Sequence, residues 1–163
     1  MYRVCFVCTG NICRSPMAES VFRAHVERAG LDALVEVDSA GTGGWHEGDG
    51  ADPRTVSVLE AAGYAQDHRA RQFRASWFSR LDLVIALDSG HLRDLRALAP
   101  TAQDAAKVRL LRSYDPAATA GQDDVPDPYY GSREGFEECL ELVEAAAPGL
   151  LDAVREAMKE HTA

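Results

Sequence analysis

Residues 81–87 (Leu-Asp-Leu-Val-Ile-Ala-Leu) make a nearly unbroken apolar run, the pattern of a strand buried on both faces. Such a strand belongs to a parallel sheet, whose crossover connections lay helices over each face. The chain has the matching alternation. Residues 2–7 read as a first strand. Ser15-Pro16 then opens a helix, with Ser15 as N-cap and Pro16 at the first helical position, and Met17, Val21, Phe22 and Val26 recur at helical spacing until Gly30. A second strand over 34–39 leads into a glycine-rich loop, 41–48, and Asp52-Pro53 caps a helix that stops at Gly63. A short helix over 75–80 precedes the apolar strand; Asp88 or Ser89 caps the next helix, which ends before Pro100, and 108–111 gives a fourth strand. Beyond a loop rich in Asp, Pro and Gly (113–131) the chain is helical from Arg133, with an interruption expected at Pro148-Gly149. The expected fold is α/β, a doubly wound four-stranded parallel sheet with helices on both faces. It forms a single domain over 1–163 whose ligand site lies beyond the carboxyl ends of the strands.

Composition narrows the function. A chain of 163 residues, 46% hydrophobic and 26% charged, has the means to build a core. Seventeen Lys and Arg against 26 Asp and Glu leave a net charge of −9, which repels polyanions, so neither nucleic acid nor an anionic membrane is an expected partner. No apolar run approaches the roughly 18 residues of a membrane span, and the first residues lack the layout of a signal peptide, so the cytoplasm is the expected location. The four cysteines stand at 5, 8, 13 and 139. Three of them crowd into one short segment, unlike the spread framework of a disulfide-stapled domain, and this clustering points to chemistry.

That segment is Cys8-Thr9-Gly10-Asn11-Ile12-Cys13-Arg14-Ser15. It joins the end of a buried strand to the start of a helix, so the backbone N–H groups of Thr9, Gly10, Asn11, Ile12 and Cys13 can curl round one point at the helix's positive end. An anion of phosphate size fits such a cradle. Arg14 can fork two of its oxygens, and Cys8 lies beneath the phosphorus. Gly10 and Asn11 tolerate the left-handed backbone a tight loop needs. The same donors stabilise a thiolate, the nucleophilic form of cysteine. Cys5 and Cys8 also form a C-x-x-C, but their odd separation on a strand points them to opposite faces, which argues against a zinc site or redox pair and places Cys5 in the core. Cys13, in the returning loop, comes near Cys8, and a reversible disulfide between them would guard the nucleophile from over-oxidation. The loop has no lysine and no GxxxxGK[ST], so it is not a nucleotide-binding loop.

Expelling an alkoxide or phenolate from a phosphate ester requires a proton donor. Asp127 stands between prolines in Val125-Pro126-Asp127-Pro128-Tyr129-Tyr130, which hold it extended on its loop. Tyr129, Tyr130 and Trp45 are candidates for the walls of an aromatic-ester pocket.

Taken together, these residues make the chain similar to the low-molecular-weight protein tyrosine phosphatases over essentially its whole length. The segment from Val7 through Glu19, Asp-Ser-Ala-Gly-Thr from Asp38, and Asp-Pro-Tyr-Tyr-Gly from Asp127 resemble that family's motifs in its order. The closest likeness is to actinobacterial members, judged by the loop around Trp45-His46 and the stretch 108–116. The resemblance implies that Cys8 is the nucleophile, Arg14 the phosphate binder, and Asp127 the acid and then the base, with Ser15 hydrogen-bonding the departing thiolate. It also implies that Asn11 holds the strained turn, with Ser39 and His68 supporting it. Tyrosine-phosphorylated proteins are the implied substrates and a tyrosine kinase acting on Tyr129 or Tyr130 a further partner, with a monomeric chain and no metal or other cofactor.

Two enzymes of the same fold are the alternatives. Thioredoxin-coupled arsenate reductases use extra mid-chain cysteines, and none stands between Cys13 and Cys139. Protein-arginine phosphatases carry Thr where Ile12 stands and lack the paired tyrosines. Outside catalysis, a receiver-like domain with Asp88 as phospho-acceptor would need acidic residues after the first strand, where this chain has Cys8; Asp88 reads better as a helix cap. A phosphotyrosine-binding module would not need both a nucleophile and an acid.

Overall fold

The computed structural model describes residues 1–119 and 123–162. Four parallel strands form one sheet in the order β2-β1-β3-β4: β1 (Tyr2–Cys8), β2 (Val35–Gly41), β3 (Leu83–Ala86) and β4 (Val108–Leu110). Leu81 and Leu87 lie outside β3 yet remain buried, so the apolar run is longer than the strand it contains. Alternation along β1 separates two apolar clusters. Val4, Phe6 and Cys8 face α1 (Arg14–Arg28) and α5 (Arg133–Thr162), whereas Cys5 and Val7 face Phe73, Phe78 and Leu95 of the opposite layer. Cys5 and Cys8 therefore lie on opposite faces of the sheet, as their odd separation requires.

The helix stops follow from backbone chemistry. Gly30 and Gly63 adopt φ of 72° and 85° after α1 and α2 (Pro53–Ala61), the left-handed conformation that ends a helix. Asp52 caps α2 by accepting the Arg54 N–H at 2.8 Å, and Asp88 caps α3 (Ser89–Leu98) by accepting the His91 N–H at 2.9 Å. Residues 75–79 form a 3₁₀ turn, and a one-turn helix, α4 (Ala102–Ala105), adds to the elements read from the sequence. No helix among the described residues is long and apolar enough to cross a membrane.

Two sequence expectations are corrected. Helix α1 begins at Arg14 with Cys13 at the N-cap and no side-chain cap, so Ser15 sits inside the first turn and its hydroxyl is used elsewhere. Helix α5 runs through Pro148-Gly149 without a break. Pro148 is on the exposed side, while Ala146, Ala147, Leu150 and Val154 on either side of it are buried in one cluster, and this shared burial outweighs the lost hydrogen bond. Gly149 permits a close approach: a Cβ there would lie 2.2 Å from the Tyr114 carbonyl oxygen.

Strand β1 is the pivot for function. The chain leaves it toward β2 on one side and β3 on the other, so a crevice opens at the carboxyl ends where the winding reverses. The register pairs Cys8 with Gly41 of β2 and Val7 with Ala86 of β3. The loops after three strands, with the catalytic-type residues they carry, therefore converge at one end of the sheet.

Candidate active site

Cys8 is the last residue of β1, and its side chain enters a pocket of about 240 Å³ lined by Thr9, Gly10, Ile12, Cys13, Arg14, Trp45, His46, Asp127, Tyr129 and Tyr130. All sequence-predicted contact residues except Asn11 and Ser15 line it. Those two lie beneath, fully buried, and organise the loop.

Asn11 has φ of 58°, the one non-glycine residue among those described with a positive φ. Its side chain is held from several directions. The amide Nδ2 donates to Ser15 Oγ at 2.8 Å and to Ser39 Oγ at 3.0 Å, Oδ1 accepts the Arg71 N–H at 3.0 Å, and the Asn11 carbonyl lies 2.6 Å from His68 Nε2. Ser39 in turn donates to Glu19 at 2.5 Å. Because Asn11 supplies a proton to Ser15, the Ser15 hydroxyl is free to give its own to Cys8 Sγ, 2.9 Å away, rather than to the Ala40 carbonyl at 3.4 Å. The line Glu19–Ser39–Asn11–Ser15–Cys8 thus ends on the sulfur. Gly10 does not use the left-handed region. Its lack of a side chain instead leaves room for His46, whose Cδ2 would lie 3.0 Å from a Cβ there. Gly41 is equally constrained, since a Cβ would meet the Thr9 carbonyl at 2.7 Å.

Arg14 opens α1 and is only 3% exposed. Its Nη1 donates to Asp88 at 2.8 Å and to the Val125 carbonyl at 2.9 Å, while Nη2 lies 3.8 Å from Asp127 Oδ2. Burial alone would push the Asp88 carboxyl up, but hydrogen bonds from the His91 amide and Arg14 outweigh it and hold it below the usual value. The Val125 N–H donates to the carbonyl of Leu87, just past β3, and Cys139 of α5 donates to the Pro126 carbonyl at 3.1 Å, so Asp127 projects from a loop pinned on both sides. Its own Oδ1 accepts the Tyr129 N–H at 3.1 Å. The Tyr129 and Tyr130 rings meet edge to face at 5.0 Å, and Trp45 and Tyr130 are largely exposed, forming the rim. The cysteines at 5, 8, 13 and 139 are free and buried. Burial, aided by Asp52 and Cys8, pushes the Cys13 thiol up to about 12, so at neutral pH it is a thiol.

Sequence reasoning missed Glu19 and His91 and read Asp88 only as a cap. Asp88's position at the end of β3 was the available signal; His91 and Glu19 had none. Burial and the Arg14 charge lower the His91 pKa from 6.5, against the pull of Asp88, Asp94 and Asp127. The unfolded chain therefore binds the proton first as pH falls, and this histidine's contribution to stability, complete above about pH 6.5, is lost on acidification. Asp52 and Asp88, both lowered from 3.8, keep theirs to more acid pH. Thermal melts between about pH 7.5 and 4.5 should thus show a fall in stability that His91→Gln makes shallower; parallel curves would refute it.

A thiol, an arginine and a carboxylate around a loop at a helix start define the class: a phosphatase of the cysteine-nucleophile kind. The comparisons with known proteins agree. The profile of the family described as low molecular weight phosphotyrosine protein phosphatase matches residues 3–160. The low molecular weight protein-tyrosine-phosphatase of Streptomyces coelicolor is 75% identical over 162 residues, 99% of each chain. The low molecular weight protein-tyrosine phosphatase A of Mycobacterium tuberculosis is 51% identical over 153 residues, 94% of this chain and 91% of that one. Among solved structures, a protein tyrosine phosphatase from Entamoeba histolytica superposes with a TM-score of 0.91 at 33% identity, covering 97% of this chain and 99% of the other. The chain belongs to the low molecular weight phosphotyrosine protein phosphatase family. It is a protein tyrosine phosphatase, and the phosphocysteine intermediate is the family's general mechanism.

Proposed function

We propose that phosphotyrosine in proteins is hydrolysed here with Cys8 as the nucleophile and Asp127 as the acid and then the base. The Cys8 thiolate attacks phosphorus in line, the P–O bond to the phenol breaks, and Asp127 gives its proton to the departing oxygen. Arg14 and the loop N–H groups from Thr9 to Cys13 hold the three equatorial oxygens. No side chain caps α1, so its positive end is left to the phosphate. Asp127, now a carboxylate, takes a proton from water as that water attacks phosphocysteine; phosphate leaves and Cys8 returns as the thiolate, held by the Ser15 hydroxyl. Trp45, Tyr129 and Tyr130 flank the substrate ring, while Asn11, Ser39 and His68 hold the loop in shape.

The observation that carries this reading is the convergence of Cys8, Arg14 and Asp127 on one pocket walled by aromatic rings. The net charge of −9 does not oppose it, because the attraction for a dianion is local, from Arg14 and aligned amides. Turnover should be measured side by side on phosphotyrosine, phosphoserine and phosphoarginine peptides with EDTA present. Phosphotyrosine should be hydrolysed at least about tenfold faster than the others. Preference for phosphoarginine would move the chain to the arginine-phosphatase alternative, and loss of activity in EDTA would contradict a cysteine mechanism without metal.

A further inference from the structure

His91 sits in the first turn of α3, 4% exposed, and belongs to none of the roles above. Its Nε2 lies 2.8 Å from Thr9 Oγ1 and 3.5 Å from Arg14 Nη2. A guanidinium carries only donors, so the contact with Arg14 makes Nε2 an acceptor and places the ring proton on Nδ1. Thr9 must then donate to the same nitrogen. Nδ1 is 3.2 Å from Asp88 Oδ1, too poorly aligned for a hydrogen bond, and it has no other hydrogen-bond partner. A buried ring nitrogen left in that state costs stability, and an apolar side chain of similar volume would avoid the cost. Fold stability therefore does not explain a histidine at this position; what Nε2 holds does.

We propose that His91 is a positioning residue for the phosphate site, its neutral ring taking the Thr9 hydroxyl and the edge of the Arg14 guanidinium on Nε2. The consequence lies in a competition. Arg14 Nη1 is committed to Asp88 and Val125, whereas Nη2 has two neighbours, His91 Nε2 at 3.5 Å and Asp127 Oδ2 at 3.8 Å. Without the histidine nitrogen, Nη2 turns to the carboxylate, and the phosphate-holding cation pairs with the proton donor. The charged groups that bear on the ring, Arg14 from α1, Asp88 and Asp94 with α3, and Asp127 from the acid loop, act in opposite directions; burial and Arg14 prevail and keep it neutral. The inference rests on the reading of Arg14 as the phosphate holder.

The test compares the 163-residue chain with His91→Leu, which lacks an acceptor, and His91→Gln, whose amide oxygen reaches the place of Nε2. KM for an aryl phosphate and the inhibition constant of sulfate, an oxyanion that stays dianionic, are measured at pH 7. His91→Leu should raise both by about tenfold, and His91→Gln should bring both back to within about threefold of wild type. Long-range ¹H–¹⁵N spectra of wild type at pH 7 should show His91 as the neutral Nδ1–H tautomer, a reading that does not depend on a variant folding. Unchanged constants in His91→Leu, equal losses in both variants, or an Nε2–H tautomer would overturn the proposal. Arg14→Ala separates the two levels. If it leaves the sulfate constant unchanged, the phosphate-site reading itself fails; if it weakens sulfate while His91→Leu does not, only the role of His91 fails.

Discussion

Cys8→Ser should abolish turnover on an aryl phosphate, lowering kcat by at least ~10³-fold. The substitution exchanges sulfur for oxygen at a site where the neighbouring donor, Ser15 Oγ at 2.9 Å, still has an acceptor to meet. The loop and its oxyanion donors therefore stay in place. What is lost is the sulfur nucleophile, because a serine hydroxyl with no general base beside it does not attack phosphorus in its place. The variant should still bind sulfate or an aryl phosphate with an affinity close to that of the parent, since the proposed binding groups are Arg14 and the amides. Activity near wild type would remove Cys8 from the mechanism, and binding lost along with activity would point to a collapsed loop instead.

Asp127→Ala should divide substrates by leaving group. On phosphotyrosine the departing phenolate has a conjugate acid of pKa about 10, so removing its proton donor should cost on the order of 10²–10³ in kcat. On esters whose phenols are several units more acidic, departure needs no proton and the loss should fall below about tenfold. The geometry supports the split, because Asp127 reaches the pocket rim from a loop held by Val125 to Leu87 and by Cys139 to Pro126. Its removal leaves the Arg14 contacts with Asp88 and Val125 untouched. Equal losses across a series of phenyl esters would show that Asp127 orients the substrate rather than protonating it.

How much of this was legible in the sequence depended on the range of each interaction. The apolar run over 81–87, the glycine stops at Gly30 and Gly63 and the caps at Asp52 and Asp88 are local effects, and the structure has each of them. Two local rules failed where tertiary demands were stronger. Ser15 has the chemistry of an N-cap, but Asn11 and Cys8 claim its hydroxyl and the helix starts two residues earlier, at Arg14. Pro148-Gly149 has the chemistry of a break, but buried residues on both sides keep α5 whole, and the glycine serves a contact with Tyr114.

By itself the sequence determined the alternating α/β architecture and the identity of the reactive loop, because strand, turn and helix start lie within one segment and their chemistry is carried by neighbours. Only the tertiary structure decided what holds that chemistry in place. Arg14 meets Asp88 and Val125 across separations of 74 and 111 residues, Asn11 meets Ser39 and His68 across 28 and 57, and Thr9 meets His91 across 82. None of these pairs leaves a periodic or local trace along the chain. They come together because β1 lies between β2 and β3 in parallel register, which brings the loops at one end of the sheet, and the side chains they carry, to a single point.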